Sequence, residues 1–261
     1  MRLIAFFLML LAGPVLAQGR QVAAIEARDG AFRVTLADGS VREREALAGM
    51  VLVYAGGEQR IRMRVAGIRP DPGDASGRRL LHDFRDAATG EPVCQAAPDG
   101  TREGFPIAGR ADAAGMLHAA EPGAFEIVCT AGAQGKCVRF GYAPWLAQAD
   151  GRPMLELYNA CIRMVRADYC GAGEATTRDG MNIDLYDVHD TQTPELAPEQ
   201  SFEAAWGPDG AVCVAHVRVK ENTSLERLAA TCPRLAGKLG PACTEASARA
   251  AGARLFNRSA P

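Results

Sequence analysis

Lysine is almost missing from this 261-residue chain, occurring only at Lys136, Lys220 and Lys238. Arginine does not make up the difference. Lys and Arg together number 29 against 31 Asp and Glu, so no cationic surplus exists to hold a phosphate backbone. Nucleic acid is therefore not the expected partner. There is no HExxH, no CxxC, no GxSxG and no glycine-rich phosphate loop. These absences remove the local signatures of zinc proteases, zinc knuckles, serine hydrolases and nucleotide enzymes, and neither a metal nor a cofactor is expected. Aromatic residues make up 6 % of the chain, which singles out Tyr142, Trp145 and Trp206 as contacts for a sugar or peptide. Packing in a core or turn is the commoner use of such rings.

What is present begins at the N-terminus. Arg2 precedes an unbroken apolar run, Leu3 to Leu11, which Ala12-Gly13-Pro14 interrupts before Val15-Leu16-Ala17. This is the pattern of an export signal over residues 1–17, with a mature start at Gln18. The run is too short to span a bilayer, so the mature chain is not expected to be membrane-spanning. A secreted or periplasmic location follows, with a partner in the envelope or extracellular space.

All eight cysteines lie downstream: Cys94, Cys129, Cys137, Cys161, Cys170, Cys213, Cys232 and Cys243. An even count in an exported chain reads as a disulfide framework. Cys232 with Cys243 is the first choice of pair, because the two are close in sequence. Cys161 needs a partner from another element, and Cys137 is one choice. Cys161 with Cys170 is disfavoured, since nine helical residues separate them by about 13 Å.

Residues 18–68 read as a small antiparallel β region, punctuated by Asp29-Gly30, Asp38-Gly39-Ser40 and Gly56-Gly57. In the run Arg60 to Val65, Ile61, Met63 and Val65 are expected to face a core with Val34, Leu36, Val51 and Val53. Arg60, Arg62 and Arg64 form a stripe suited to an anion or, more commonly, to solvent. Residues 69–77 are dense in Pro, Gly and Asp and read as a connector. A cysteine-rich α+β domain is expected over 78–246, with 135–142 open between strand and helix, a hairpin over Ser201–Val219, a short helix after Thr223, and a frayed tail over 247–261. The fold class is α+β: a small antiparallel β region, then a disulfide-stapled domain with one main amphipathic helix.

That helix is predicted over Met154–Tyr169. Met154, Leu157, Tyr158, Cys161, Ile162, Met164 and Val165 share one face, with Glu156, Asn159, Arg163 and Arg166 opposite. Asp168 breaks the pattern. A carboxylate near the apolar face and the negative end of the helix dipole requires a partner. It reads as the anchor of the Gly171-Ala172-Gly173 loop or as a site carboxylate.

The run Cys161-Ile-Arg-Met-Val-Arg-Ala-Asp-Tyr-Cys170 resembles the ADYC domain, a family of secreted bacterial proteins named for the tetrapeptide at 167–170. Lys136–Trp145, Thr177–Gly180 and Glu203–Trp206 with Gly210–Cys213 extend the resemblance. It implies export and a cysteine framework, and it transfers no catalytic residue.

Candidate chemistry is sparse. The acidic run Asp179, Asn182, Asp184, Asp187, Asp190 has oxygen donors but lacks EF-hand spacing. His189 beside Asp190 is a conceivable base. Two functions remain: a non-enzymatic binding or structural module, or a secreted hydrolase using Asp168 with His189 or Glu203.

Overall fold

Turn chemistry shapes the first third of the protein, whose computed structural model describes residues 22–56 and 59–261. The expected export segment, 1–17, lies outside the described residues. β1 (Val22–Arg28) and β2 (Ala31–Leu36) form a hairpin closed by Asp29 and Gly30, with φ of 52° and 74°. Two left-handed residues are what a two-residue hairpin turn demands. β3 (Val41–Glu43) completes a three-stranded sheet. β4 (Val51–Gly56), β5 (Gln59–Pro70), β6 (Leu80–Asp86), β7 (Gly104–Ala108) and, after the short ribbon β8 (Arg110–Ala111) and β9 (Leu117–His118), β10 (Phe125–Cys129) follow. The antiparallel five-stranded sheet runs β10–β7–β6–β5–β4. Phe32, Val34 and Leu36 of the first sheet share one core with Leu52, Val65 and Phe84 of the second.

Two expectations change here. Val51 and Val53 do not face that core; they are 40 % and 61 % exposed. The register pairs Val51 with Arg64 and Val53 with Arg62, and directly opposed residues share a face. The valines therefore point outward with the arginines, and Leu52 points inward. Ile61 is 44 % exposed, whereas Met63 and Val65 are buried as expected. Residues 69–77, expected as a connector, hold the end of β5 and the turn that follows it. They turn β5 into β6, and buried Asp71 ties the turn down through Gly73 N (3.0 Å), Arg79 Nε (2.7 Å) and Arg139 Nε (3.2 Å).

The ambiguous segment near 135–142 is a helix, α1 (Ala133–Arg139), packed against α2 (Leu155–Arg166). α2 also lies on an antiparallel sheet built from β11 (Asp184–Asp187), β12 (Ser201–Gly207), β13 (Gly210–Val214) and β14 (Leu255–Ser259), in the order β11–β14–β12–β13. α3 (Leu225–Thr231) and α4 (Glu245–Ala250) pack at its periphery. Ser224 caps α3 through Arg227 N. The fold is α+β.

The expected frayed tail is a correction. Residues 255–259 supply a central strand, with Leu255, Phe256, Asn257 and Ser259 buried. Leu255-Phe256 is a short apolar pair that a strand buries against α2 and α4.

All eight cysteines pair: Cys94–Cys129, Cys137–Cys161, Cys170–Cys232 and Cys213–Cys243, with Cα separations of 5.4, 5.8, 5.4 and 5.5 Å. These are bridging distances. The preferred pair Cys232–Cys243 is thus overturned. Pro233–Leu235 and Gly240–Ala242 each form a 3-10 turn between those cysteines. Cys232 ends α3 beside Cys170. The stretch before Cys243 runs along β13, where Val214 N donates to Lys238 O, and so brings Cys243 to Cys213.

Candidate functional site

α2 is shorter than its periodicity suggested. It ends at Ala167, which is left-handed at φ 49° and fully buried. A left-handed alanine costs about 1–2 kcal/mol, so the surroundings must hold it. Thr176 Oγ1 donates to Ala167 O at 2.6 Å. Asp168 therefore lies beyond the helix, and its carboxylate folds back on the loop that follows. Oδ1 accepts from Gly171 N (3.0 Å) and Ala172 N (3.1 Å), and Oδ2 accepts from Gly173 N (2.8 Å) and Arg163 Nη1. Arg163 and Asn159, expected in solvent, are 4 % and 7 % exposed. Asn159 pairs with both backbone groups of Leu117.

The next residue reaches the opposite way. Tyr169 stacks on Trp206 with ring centroids 5.2 Å apart. Its hydroxyl donates to Glu203 Oε1 (2.9 Å) and accepts from Arg218 N (2.9 Å). Glu203 also accepts from Arg218 Nε (3.0 Å) and Asn257 Nδ2 (2.7 Å). Burial alone would raise the Glu203 pKa; the Arg218 guanidinium and these hydrogen bonds outweigh it and hold the carboxyl below its ordinary value. Arg218 Nη2 donates to Met164 O (3.0 Å) and Nη1 to Val165 O (3.3 Å), closing the C-terminal end of α2. Cys170 then bonds Cys232. The four residues 167–170 thus divide the structural work among them. Ala167 ends the helix, Asp168 seats the loop, Tyr169 braces the sheet and Cys170 tethers α3. Gly171 completes the arrangement. A Cβ there would lie 1.9 Å from Asp209 O, on the β12–β13 turn.

The three candidate catalytic side chains do not converge. Asp168 is bound to Arg163 and its own loop, and Glu203 to Tyr169, Arg218 and Asn257. His189 lies in a third group with Arg254 and Asp150. No hydrogen bond or ion pair joins any two of the three among the described residues. In the acidic run, Asp184 accepts from Glu195 N (3.0 Å) and Asp187 from His189 N (2.7 Å), Gln192 N (3.0 Å) and the Tyr142 hydroxyl (2.8 Å). The chain's own donors occupy these oxygens, and no metal-holding cluster occurs among the described residues.

The aromatic candidates separate clearly. Tyr142 and Trp206 are buried at 0 % and 1 %. Trp145 is half-buried and lines an open cleft of about 330 Å³. Ile107, Leu117 and Leu155 give it apolar lining, and Glu26, Asp29 and Glu121 also line it; Glu26 is already paired with Arg33 at 3.1 Å. Asp29 and Glu121 lie 3.8 Å from Arg28 and Arg110 and are 73 % and 72 % exposed, so those pairings are weak in water. The β1–β2 turn closes one side. A Cβ on Gly30 would lie 2.5 Å from the Trp145 ring, so only glycine lets the turn rest on the indole. His118 lines the cleft and binds Asp112 at 2.8 Å, but no Ser, Thr or Cys lines it.

Arg163, Arg218 and Asn257 escaped the sequence reading. Arg218 alternates with Val217 and Val219, a pattern that reads as an exposed position, and Asn257 lies in the segment 247–261 that reads as a frayed tail.

The ADYC domain model matches residues 44–220, more than half of the chain. The match begins upstream of β4 and includes Tyr169, Glu203 and Arg218. No curated protein and no solved structure matches.

Proposed function

The chain belongs to the ADYC domain family, and from that premise we propose that it is an extracytoplasmic binding module whose ligand site is the Trp145 cleft. The export-signal pattern expected over residues 1–17 and the four cysteine pairs support an oxidising compartment. No helix of the described residues is long and apolar enough to cross a membrane. The observation that carries the reading is the contrast among the aromatics: Trp145 alone of the three pairs exposure with an open cleft. A volume near 330 Å³ suits one side chain or a short peptide segment. Apolar lining with the two weakly paired carboxylates of Asp29 and Glu121 beside it favours a ligand with an apolar stem and a positive end, which the indole face also attracts. Lysine and arginine side chains have that form. Catalysis is not favoured, because the candidate acids and base sit in separate networks and the cleft has no hydroxyl or thiol nucleophile.

The test is calorimetric titration with three probes: an alanine-lysine-alanine tripeptide, its glutamate counterpart and chitotriose. The lysine peptide should bind at least tenfold more tightly than the other two, and Trp145→Ala should abolish its binding without unfolding the protein. Equal affinity for all three, or full binding by Trp145→Ala, would refute the assignment.

A further inference from the structure

β4 is the open edge of the five-stranded sheet among the described residues. Its sequence, Val51-Leu-Val-Tyr-Ala-Gly56, has no lysine, no proline and no inward charge. Edge strands ordinarily carry such devices because unpaired N–H and C=O groups recruit another strand. Both sides of this edge are shaped. On the inner side an apolar groove of about 300 Å³ runs along β4, lined by Ile25, Val34, Met50, Leu52, Met63 and Phe125, with Val51 and Val53 themselves at its rim. On the outer side Val51 and Val53 stand exposed beside Arg64 and Arg62, their cross-strand partners. Neither arginine makes an ion pair among the described residues.

We propose that β4 is a docking edge for an extended acidic segment of another protein, which adds to the sheet as a sixth strand. Side chains alternate along such a strand. One set would enter the apolar groove. The other would lie across Val51 and Val53, within reach of the Arg62 and Arg64 guanidinium groups. That alternation selects a partner with apolar residues on one face and carboxylates on the other. A second copy of this chain fits poorly, since β4 against β4 would set Arg62 and Arg64 of both copies on one continuous surface. The edge is distinct from the Trp145 cleft.

Ladder geometry identifies the donors. Val65 N donates to Met50 O at 2.9 Å, so alternation turns the Leu52 backbone toward β5 and the Val51 and Val53 backbones toward the open edge. The experiment uses the mature protein, the peptide Ac-(Glu-Val)3-NH2 and a lysine analogue, Ac-(Lys-Val)3-NH2. Hydrogen exchange should show new protection at Val51 and Val53 with the glutamate peptide. Its affinity should exceed that of the lysine analogue at least tenfold. The double variant Arg62→Glu with Arg64→Glu, on an exposed face where folding is not at stake, should reverse that preference. Val53→Pro, which deletes an edge-facing N–H, should weaken both peptides at least tenfold while the thermal melt stays cooperative. Protection confined to other strands, equal affinity for the two peptides, or an unchanged preference in the double variant would overturn the proposal.

Discussion

Tyr169 and Glu203 meet in the protein interior, with the phenol hydroxyl donating to Oε1 at 2.9 Å and neither side chain more than 1 % exposed. Arg218 closes the group from both ends. Its backbone N–H binds the tyrosine, and its guanidinium binds the glutamate and the last carbonyls of α2. The loop after α2 is thereby fixed to β12 and, through Asn257, to β14.

Two substitutions grade this network. Tyr169→Phe leaves the Arg218 N–H without its acceptor and should destabilise by about 1–3 kcal/mol. Glu203→Gln leaves a buried guanidinium uncompensated and should cost about 3–5 kcal/mol. Urea unfolding of both variants checks the order. A smaller loss for Glu203→Gln than for Tyr169→Phe would contradict the role given to Arg218.

His82 makes the fold acid-sensitive. It is fully buried, stacked on Phe84 and edge-on to Phe32, and neither ring nitrogen reaches a partner with hydrogen-bond geometry. Burial pushes its pKa down to about 4, against a weaker opposite pull from the backbone of Leu80 and Gly104. The unfolded chain, near 6.5, binds the proton first. Stability from the neutral imidazole is therefore complete above pH 6.5 and is lost as pH falls toward 4, by roughly 3 kcal/mol in all. The depressed Glu203 carboxyl acts in the same direction at lower pH. His82→Phe should flatten the unfolding free energy between pH 7 and 4.5; an unchanged slope would place the sensitivity elsewhere.

The disulfide pattern is directly measurable. Non-reducing peptide mapping should recover Cys170 with Cys232 and Cys213 with Cys243, and titration of the denatured, unreduced protein should find almost no thiol. Replacing Cys170 and Cys232 together by serine should cost about 2–5 kcal/mol. A Cys232–Cys243 peptide would contradict the path of the chain after α3.

Local periodicity carried the sequence reading wherever one face alone was buried. α2, the β5 core residues Met63 and Val65, and the Asp29-Gly30 turn were all legible in this way. It failed where neighbours came from afar. Val51 and Val53 read as core because an apolar run does not declare its phase, and only pairing with Arg64 and Arg62 fixes it. Arg163 and Asn159 lie on the polar face of α2 yet are buried, because Pro208 and Leu117 cover them. Residues 255–259 read as tail because a central strand of five residues, flanked by polar sequence, lacks a clear period. The burial of Asp168 was legible as a misplaced carboxylate, but its partners were not, since they depend on Ala167 turning left-handed. The Trp145 cleft was half legible: the residue stood out, and the turn that rests on it did not.

The tetrapeptide 167–170 holds the fold, whereas the proposed recognition site lies at Trp145. Asp168→Asn tests this division best, with unfolding free energy and affinity for the lysine tripeptide measured on the same sample. A structural clasp predicts a stability loss of about 3 kcal/mol or more from the unpaired Arg163, with tripeptide affinity unchanged, whereas Trp145→Ala abolishes tripeptide affinity in a protein that still folds. Lost affinity at level or raised stability in Asp168→Asn would mark Asp168 as a site residue and contradict that division.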